Sequence, residues 1–201
     1  MMKKNFARYY DAFMKPFEHR YITKWRKELL THARGKVLEI GAGTGINFPH
    51  YRQCEEVVAL EPNPFMIEMA EVRRKQATIP ITILAGKAEV LPFANEQFDT
   101  IVVTLVLCSV DDPKRALAEM KRVLKTNGTL LFIEHVKMKQ PILATLQNML
   151  TPVWKRIGDG CHLNRDTEQT IKDAGLNIIS VKSHLSSFAI SLIVKKIGKS
   201  T

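Results

Sequence analysis

Cysteine is scarce in this chain. Cys54, Cys108 and Cys161 are the only three among 201 residues, and no two of them share a CxxC spacing. That excludes a disulfide scaffold and points to a reducing, cytoplasmic setting. It also removes the usual short-motif zinc sites, so no metal is expected. Acidic residues are under-represented, with 20 Asp and Glu against 30 Lys and Arg, for a net charge of +10. The excess favours anionic partners or simply a lysine-rich surface. No apolar run reaches the roughly 18 residues needed to span a bilayer. The opening MMKKNFARYYDAF has no apolar stretch of the kind a secretory signal carries. Internal repeats and Gly/Ser/Pro-rich linkers are also missing, which leaves a short helical N-terminal piece (1–34) and one domain (35–201).

What is present is an alternation of strands and helices. KVLEI (36–40), EVVAL (56–60), ITILA (81–85), FDTIVVTLV (98–106) and TLLFIEHV (129–136) read as strands. Helices are expected at about 64–76, after Asp112-Pro113, over about 142–157, and over 167–174. A short helix should also follow the GAGTG turn. LNIISVKS (176–183) and FAISLIVKK (188–196) are close enough to pair antiparallel. The expected fold is α/β: a doubly wound, Rossmann-like, seven-stranded sheet. It would be mostly parallel, with a C-terminal antiparallel hairpin and helices on both faces. Ligands bind such sheets beyond the carboxyl ends of the strands. Chemistry is therefore sought at 41–47, 61–64, 86–90, 104–111 and 134–138.

The first of these segments is preceded by Glu39 and carries Gly41, Ala42, Gly43 and Gly45. Glycine permits a sharp turn and a close backbone approach to a ligand. Glu61 ends the second strand, where an acid can accept both hydroxyls of a ribose, with Pro62, Asn63 and Met66 beside it. A nicotinamide dinucleotide wants G-x-G-x-x-G, but the third glycine position here is Ile46. The pattern G-x-G-x-G after an acid resembles class I methyltransferases, which bind S-adenosylmethionine. LPF (91–93) before the fourth strand matches the same group. Lys87 departs from it, standing where an adenine-binding Asp is often found. A lysine accepts no hydrogen bond, so the resemblance leaves adenine to the backbone near Ala88 and to Glu89. Thr104 and Leu105 complete the expected cofactor contacts.

EPNP (61–64), TLVLCSV (104–110), EHV (134–136) and WKRIGDGCHLNRDT (154–167) resemble one branch of these enzymes. They are similar to the membrane-associated thiol S-methyltransferases of mammals, the methyltransferase-like-7 group. They are also similar to bacterial relatives labelled phospholipid methyltransferases. The resemblance covers about residues 36–175. It implies methyl transfer to a small apolar acceptor, a thiol first. A phosphatidylethanolamine-type lipid is the alternative, and a non-catalytic cofactor-binding protein is another. Nothing resembling an RNA-binding appendage or an N-P-P-Y motif supports a nucleic-acid substrate.

The mammalian members carry a hydrophobic N-terminal anchor. Here a basic, aromatic segment (5–30) stands in its place, readable as a lid, a docked helix or a contact with an anionic membrane. His135, Asp159 and His162 are the candidate catalytic groups, each also readable as a loop-stabilising residue. Cys108 reads as a small buried residue. Neither a Cys161–His162 nucleophile pair nor a metal at Asp159, Cys161 and His162 has adequate spacing.

Overall fold

The structure, a computed structural model, describes residues 4–158 and 160–196. Its centre is a seven-stranded sheet: β1 (Gly35–Ile40), β2 (Cys54–Glu61), β3 (Ile81–Ala85), β4 (Phe98–Thr104), β5 (Leu124–His135), β6 (Leu176–His184) and β7 (Ala189–Lys196). The order across the sheet is β3-β2-β1-β4-β5-β7-β6. β1 to β5 are parallel, and β7 lies antiparallel between β5 and β6.

Alternate residues of one strand enter two different cores, as a sheet covered on both faces requires. Leu38, Ile101, Leu130 and Phe132 pack into one core with Leu117 and Met120 of α4 (Pro113–Val123). Val37, Val102, Leu131 and Ile133 pack into the other with Leu29 and Leu30, Phe48 and Tyr51.

The helix starts follow their capping chemistry. Asn63 and Asp112 cap α3 (Pro64–Arg74) and α4, each with proline in the first turn. Asp166 caps α6 (Thr167–Asp173) by accepting from Gln169 N. At the N-terminus, α1 (Lys4–Phe17) contains Pro16, which lacks a backbone donor. The chain then widens into a π-turn (Glu18–Ile22) before α2 (Thr23–Leu30).

Three expectations are corrected. The helix after the glycine turn is only a 3₁₀ turn, Phe48–His50. The fourth strand stops at Thr104 rather than 106, because Leu105 adopts φ +60° and breaks the ladder. The fifth strand starts at Leu124, because Leu124 pairs with Phe98 ahead of a register shift. Among the described residues, no helix is long and apolar enough to cross a membrane.

Candidate functional site

The glycine turn leaves the carboxyl end of β1 at the centre of the sheet. Gly41, Gly43 and Gly45 all have positive φ, at 65°, 57° and 77°. Their surroundings differ. A Cβ on Gly41 would lie 2.4 Å from a Val106 methyl, and one on Gly45 would strike Phe48. A Cβ on Gly43 would meet nothing within 4 Å, so open space lies in front of this residue. Gly41 N and Ala42 N both donate to Leu60 O, which fixes the turn against β2. Glu61 accepts from Gly43 N at 2.8 Å through one carboxylate oxygen and from Asn63 N at 2.9 Å through the other. It thus ties the ends of β1 and β2 together.

Beside it, the Asn63 side-chain Nδ2 is buried and has no partner. A buried donor left unsatisfied is costly, and a ligand acceptor would relieve it. The open space at Gly43 and this orphan donor together fit an adenosyl group. Pro62 is exposed and Met66 is buried next to them.

Glu39 turns inward. It is 1% exposed, and Asn47 Nδ2 and Tyr51 OH donate to its two oxygens at 2.8 and 2.9 Å. Burial raises its pKa to about 7, against the lowering effect of these two hydrogen bonds. Asn47 also donates to Thr104 Oγ1, and Arg26 of α2 donates to both Asn47 and Thr104. Arg26 is paired with the buried Glu18 at 2.8 Å. The chain's N-terminal segment is thus wired into the floor of the turn, a link that no motif announced. Asp11 of α1 adds a second tie by accepting from Thr44 Oγ1 and from Arg73. Of the segment's aromatics, Trp25 stacks on His184 with centroids 4.1 Å apart, and Tyr9 and Phe17 are exposed. The side chains of Phe6, Tyr10 and Phe13 lie outside the described part.

In the loop after β3, Ala88 is buried. Glu89 accepts from Asp111 N at 3.0 Å through one carboxylate oxygen. The Lys87 ammonium lies 3.8 Å from Asp111, both side chains exposed.

The opposite side is built by three loops. Leu105 N donates to Ile133 O, and the buried Glu134 accepts from Val106 N and Leu107 N, both at 2.9 Å. Burial raises the Glu134 pKa. Residues 158–165 then fold back over this segment. His162 N donates to Cys108 O at 2.8 Å, and Arg165 donates to Leu107 O and Val110 O. His162 Nδ1 lies 3.2 Å from Cys108 O, and burial lowers its pKa. Asp159 lies outside the described residues.

The folding-back brings together three side chains from three separate motifs. His135 Nε2 is 2.7 Å from Cys161 Sγ, and Cys161 Sγ is 3.7 Å from Cys108 Sγ. In the sequence, Cys161 stands beside Asp159 and His162. Its partners were instead 26 and 53 residues away, in EHV and LVLCSV.

Comparison with known proteins identifies the family. The family described as "Methyltransferase domain" matches residues 38–132. Thiol S-methyltransferase TMT1B of Homo sapiens is 37% identical over 89% of this chain and 78% of its own length. Its Rattus norvegicus counterpart is 41% identical over 73% of this chain, which spans only 62% of that protein. The phosphatidylethanolamine N-methyltransferase of Cereibacter sphaeroides is 27% identical over 72% of this chain and 71% of its own. A SAM-dependent methyltransferase from Thermotoga maritima superposes with TM-score 0.69 at 22% identity, covering 98% of this chain and 100% of that one. Cradle, sheet order and relatives agree: the chain belongs to the S-adenosylmethionine-dependent methyltransferases, in the family that includes the thiol S-methyltransferases TMT1A and TMT1B.

Proposed function

We propose that this enzyme methylates the sulfur of a small, apolar thiol. The observation that carries the reading is the identity with human TMT1B, which extends over 89% of the chain. It therefore includes the acceptor-side loops as well as the glycine cradle.

Bound S-adenosylmethionine supplies a methyl group on a positively charged sulfur, which an aligned nucleophile can displace in line. The chain's residues have three tasks around it. Gly41, Ala42, Gly43 and Gly45 give backbone access, with Glu61, Pro62, Asn63 and Met66 at the ribose end and Ala88 and Glu89 at the adenine end. Thr104 and Leu105 form the floor between cofactor and acceptor. The N-terminal segment (1–34) serves as a lid, held by Asp11 on Thr44 and Arg73 and by Arg26 on Thr104. Excluding water keeps the methyl group from solvent attack. His135 is the polar group assigned to the acceptor. His162 supports the loop through Cys108 O, and Asp159 is the remaining candidate there.

Working at a membrane surface is favoured by a separate observation. On α5 (Pro141–Ile157), Ile142, Leu143, Leu146, Met149, Leu150 and Val153 are all exposed. They form one stripe at helical spacing. Lys137, Lys139 and Lys155 are exposed around its ends. An apolar stripe with basic flanks fits an anionic bilayer. Its opposite face holds the acceptor-side loops, since Gln147 bonds Met138 N, Val136 O and Leu163 O. Docking through α5 would set the acceptor entrance near lipid and suits apolar acceptors. It also keeps a phosphatidylethanolamine-type lipid as the second reading.

The decisive experiment measures S-adenosylhomocysteine release with hydrogen sulfide, alkyl thiols and phosphatidylethanolamine vesicles. Turnover with thiols and none with the lipid is expected. Cofactor binding without turnover on any thiol would overturn the thiol reading.

A further inference from the structure

The group formed by Cys108, His135 and Cys161 has no role in holding the cradle, yet the fold takes care to assemble it. β5 ends at His135, the 105–110 loop brings Cys108, and the return loop after α5 brings Cys161. Three ties between the two loops fix the meeting point: His162 N on Cys108 O, and Arg165 on Leu107 O and Val110 O. Gly160 crosses above Ser109 O with φ +92°, a conformation that suits glycine. The three donor atoms all lie within 4.8 Å of one another. Cys108 and His135 are buried, and Cys161 is half-buried.

Two thiols and an imidazole are the ligands that select thiophilic ions such as zinc. The dimensions agree. A tetrahedral zinc with bonds of about 2.3 Å to sulfur and about 2.0 Å to nitrogen sets its sulfurs about 3.8 Å apart, and sulfur and nitrogen about 3.5 Å apart. The two Sγ atoms are 3.7 Å apart here. The imidazole, at 2.7 Å from Cys161 Sγ, would swing outward by about 0.8 Å to reach that edge length. Three protein ligands leave one position open, the arrangement of catalytic rather than structural zinc. The group stands at the same carboxyl end of the parallel strands as the glycine turn, two residues beyond the Val106 side chain that covers Gly41.

We propose that Cys108, His135 and Cys161 bind one zinc ion and that its open position takes the acceptor thiol. The second clause rests on the thiol reading above; the first does not. On binding, both cysteine thiols release their protons to solvent. The acceptor thiol likewise loses its proton as its sulfur binds the metal. Its sulfur lone pair then forms the new S–CH₃ bond while the sulfonium–CH₃ bond breaks, and that electron pair stays on S-adenosylhomocysteine. The neutral thioether product is a weak zinc ligand and departs. His135 is thereby a ligand, and no separate base is needed.

The test uses the full chain, reduced and treated with chelator, then titrated with cobalt(II) alone. One equivalent should produce the visible bands of a tetrahedral thiolate site, and zinc should bleach them. C161S and H135Q should each weaken binding at least about tenfold, with cofactor binding by calorimetry showing that they remain folded. C54A, which removes the one cysteine outside the group, should bind metal as the parent does. No cobalt spectrum in the reduced protein, or unchanged metal affinity in C161S and H135Q, overturns the metal site. So does a Cys108–Cys161 disulfide, seen as loss of two titratable thiols, that forms readily in protein unable to bind metal. Full thiol turnover by metal-free enzyme overturns the activation clause while leaving the site. Metal binding with no thiol turned over, zinc present, overturns the thiol reading instead.

Discussion

At the residue scale, the three glycines of the turn separate two functions that one motif merges. Gly41 and Gly45 are needed by the fold, since a Cβ at either would collide with Val106 or Phe48. Gly43 faces open space and is free for a ligand. G43A should therefore lower cofactor affinity about tenfold or more while costing roughly 1 kcal/mol of stability for its left-handed backbone. G41A should lose much more stability. Calorimetry and denaturant unfolding read the two effects separately.

Glu39 looked from the sequence like a ligand contact, yet it is spent on Asn47 and Tyr51. Its partners sit 8 and 12 residues on, in a loop with no regular pattern, so periodicity could not reveal them. Its burial gives a pH signature. The folded pKa is about 7 against an ordinary value of 4.5, so the native state holds this proton more tightly than the unfolded chain. The contribution is full below 4.5 and is lost as pH rises through 7. E39Q should remove that downward slope, as seen by urea unfolding at a series of pH values.

At the scale of elements, α2 is a strut with one buried face, that of Arg26, Leu29 and Leu30. Arg26 links Glu18 to Asn47 and Thr104 from a helix that the sequence marked mainly by its aromatics. R26A leaves the Glu18 carboxylate buried without its cation, and should cost about 3–5 kcal/mol in chemical denaturation. α5 makes the opposite demand, because its outer stripe has nothing to lose in the folded monomer. L146E together with M149E should leave thermal stability and turnover of a soluble thiol intact while abolishing co-sedimentation with anionic vesicles. Unchanged sedimentation would remove α5 from any membrane role. The same stripe was present in the letters ILATLQNML, but only the structure shows which side of the helix faces solvent. Its inner side is occupied by Ala144, Gln147 and Thr151.

At the scale of the whole molecule, the sheet was largely legible because strand and helix periods alternate cleanly from Gly35 to Lys196. Relations among loops were not. EHV, LVLCSV and GDGC each read as separate markers, and only sheet order brings their side chains to one place. Strand ends also escaped, since a single αL residue, Leu105, decides where β4 stops. The N-terminal segment and the sheet are joined through Arg26 and through Trp25 on His184. A W154F variant leaves Trp25 as the sole tryptophan. Its fluorescence should report the same denaturation midpoint as far-ultraviolet circular dichroism. An earlier midpoint would mean that the N-terminal segment melts by itself.

The placement of β7 has a bearing on how the protein is made. β6 is synthesised before the strand that attaches it to the sheet. Until Ala189–Lys196 has left the ribosome, β5 keeps a bare hydrogen-bonding edge from Thr129 to His135, and β6 has no neighbour to join. A nascent chain stalled in that interval carries the glycine turn and its five parallel strands beside an open template for intermolecular pairing. Pairing of β7 covers the β5 edge and moves the open edge outward to β6.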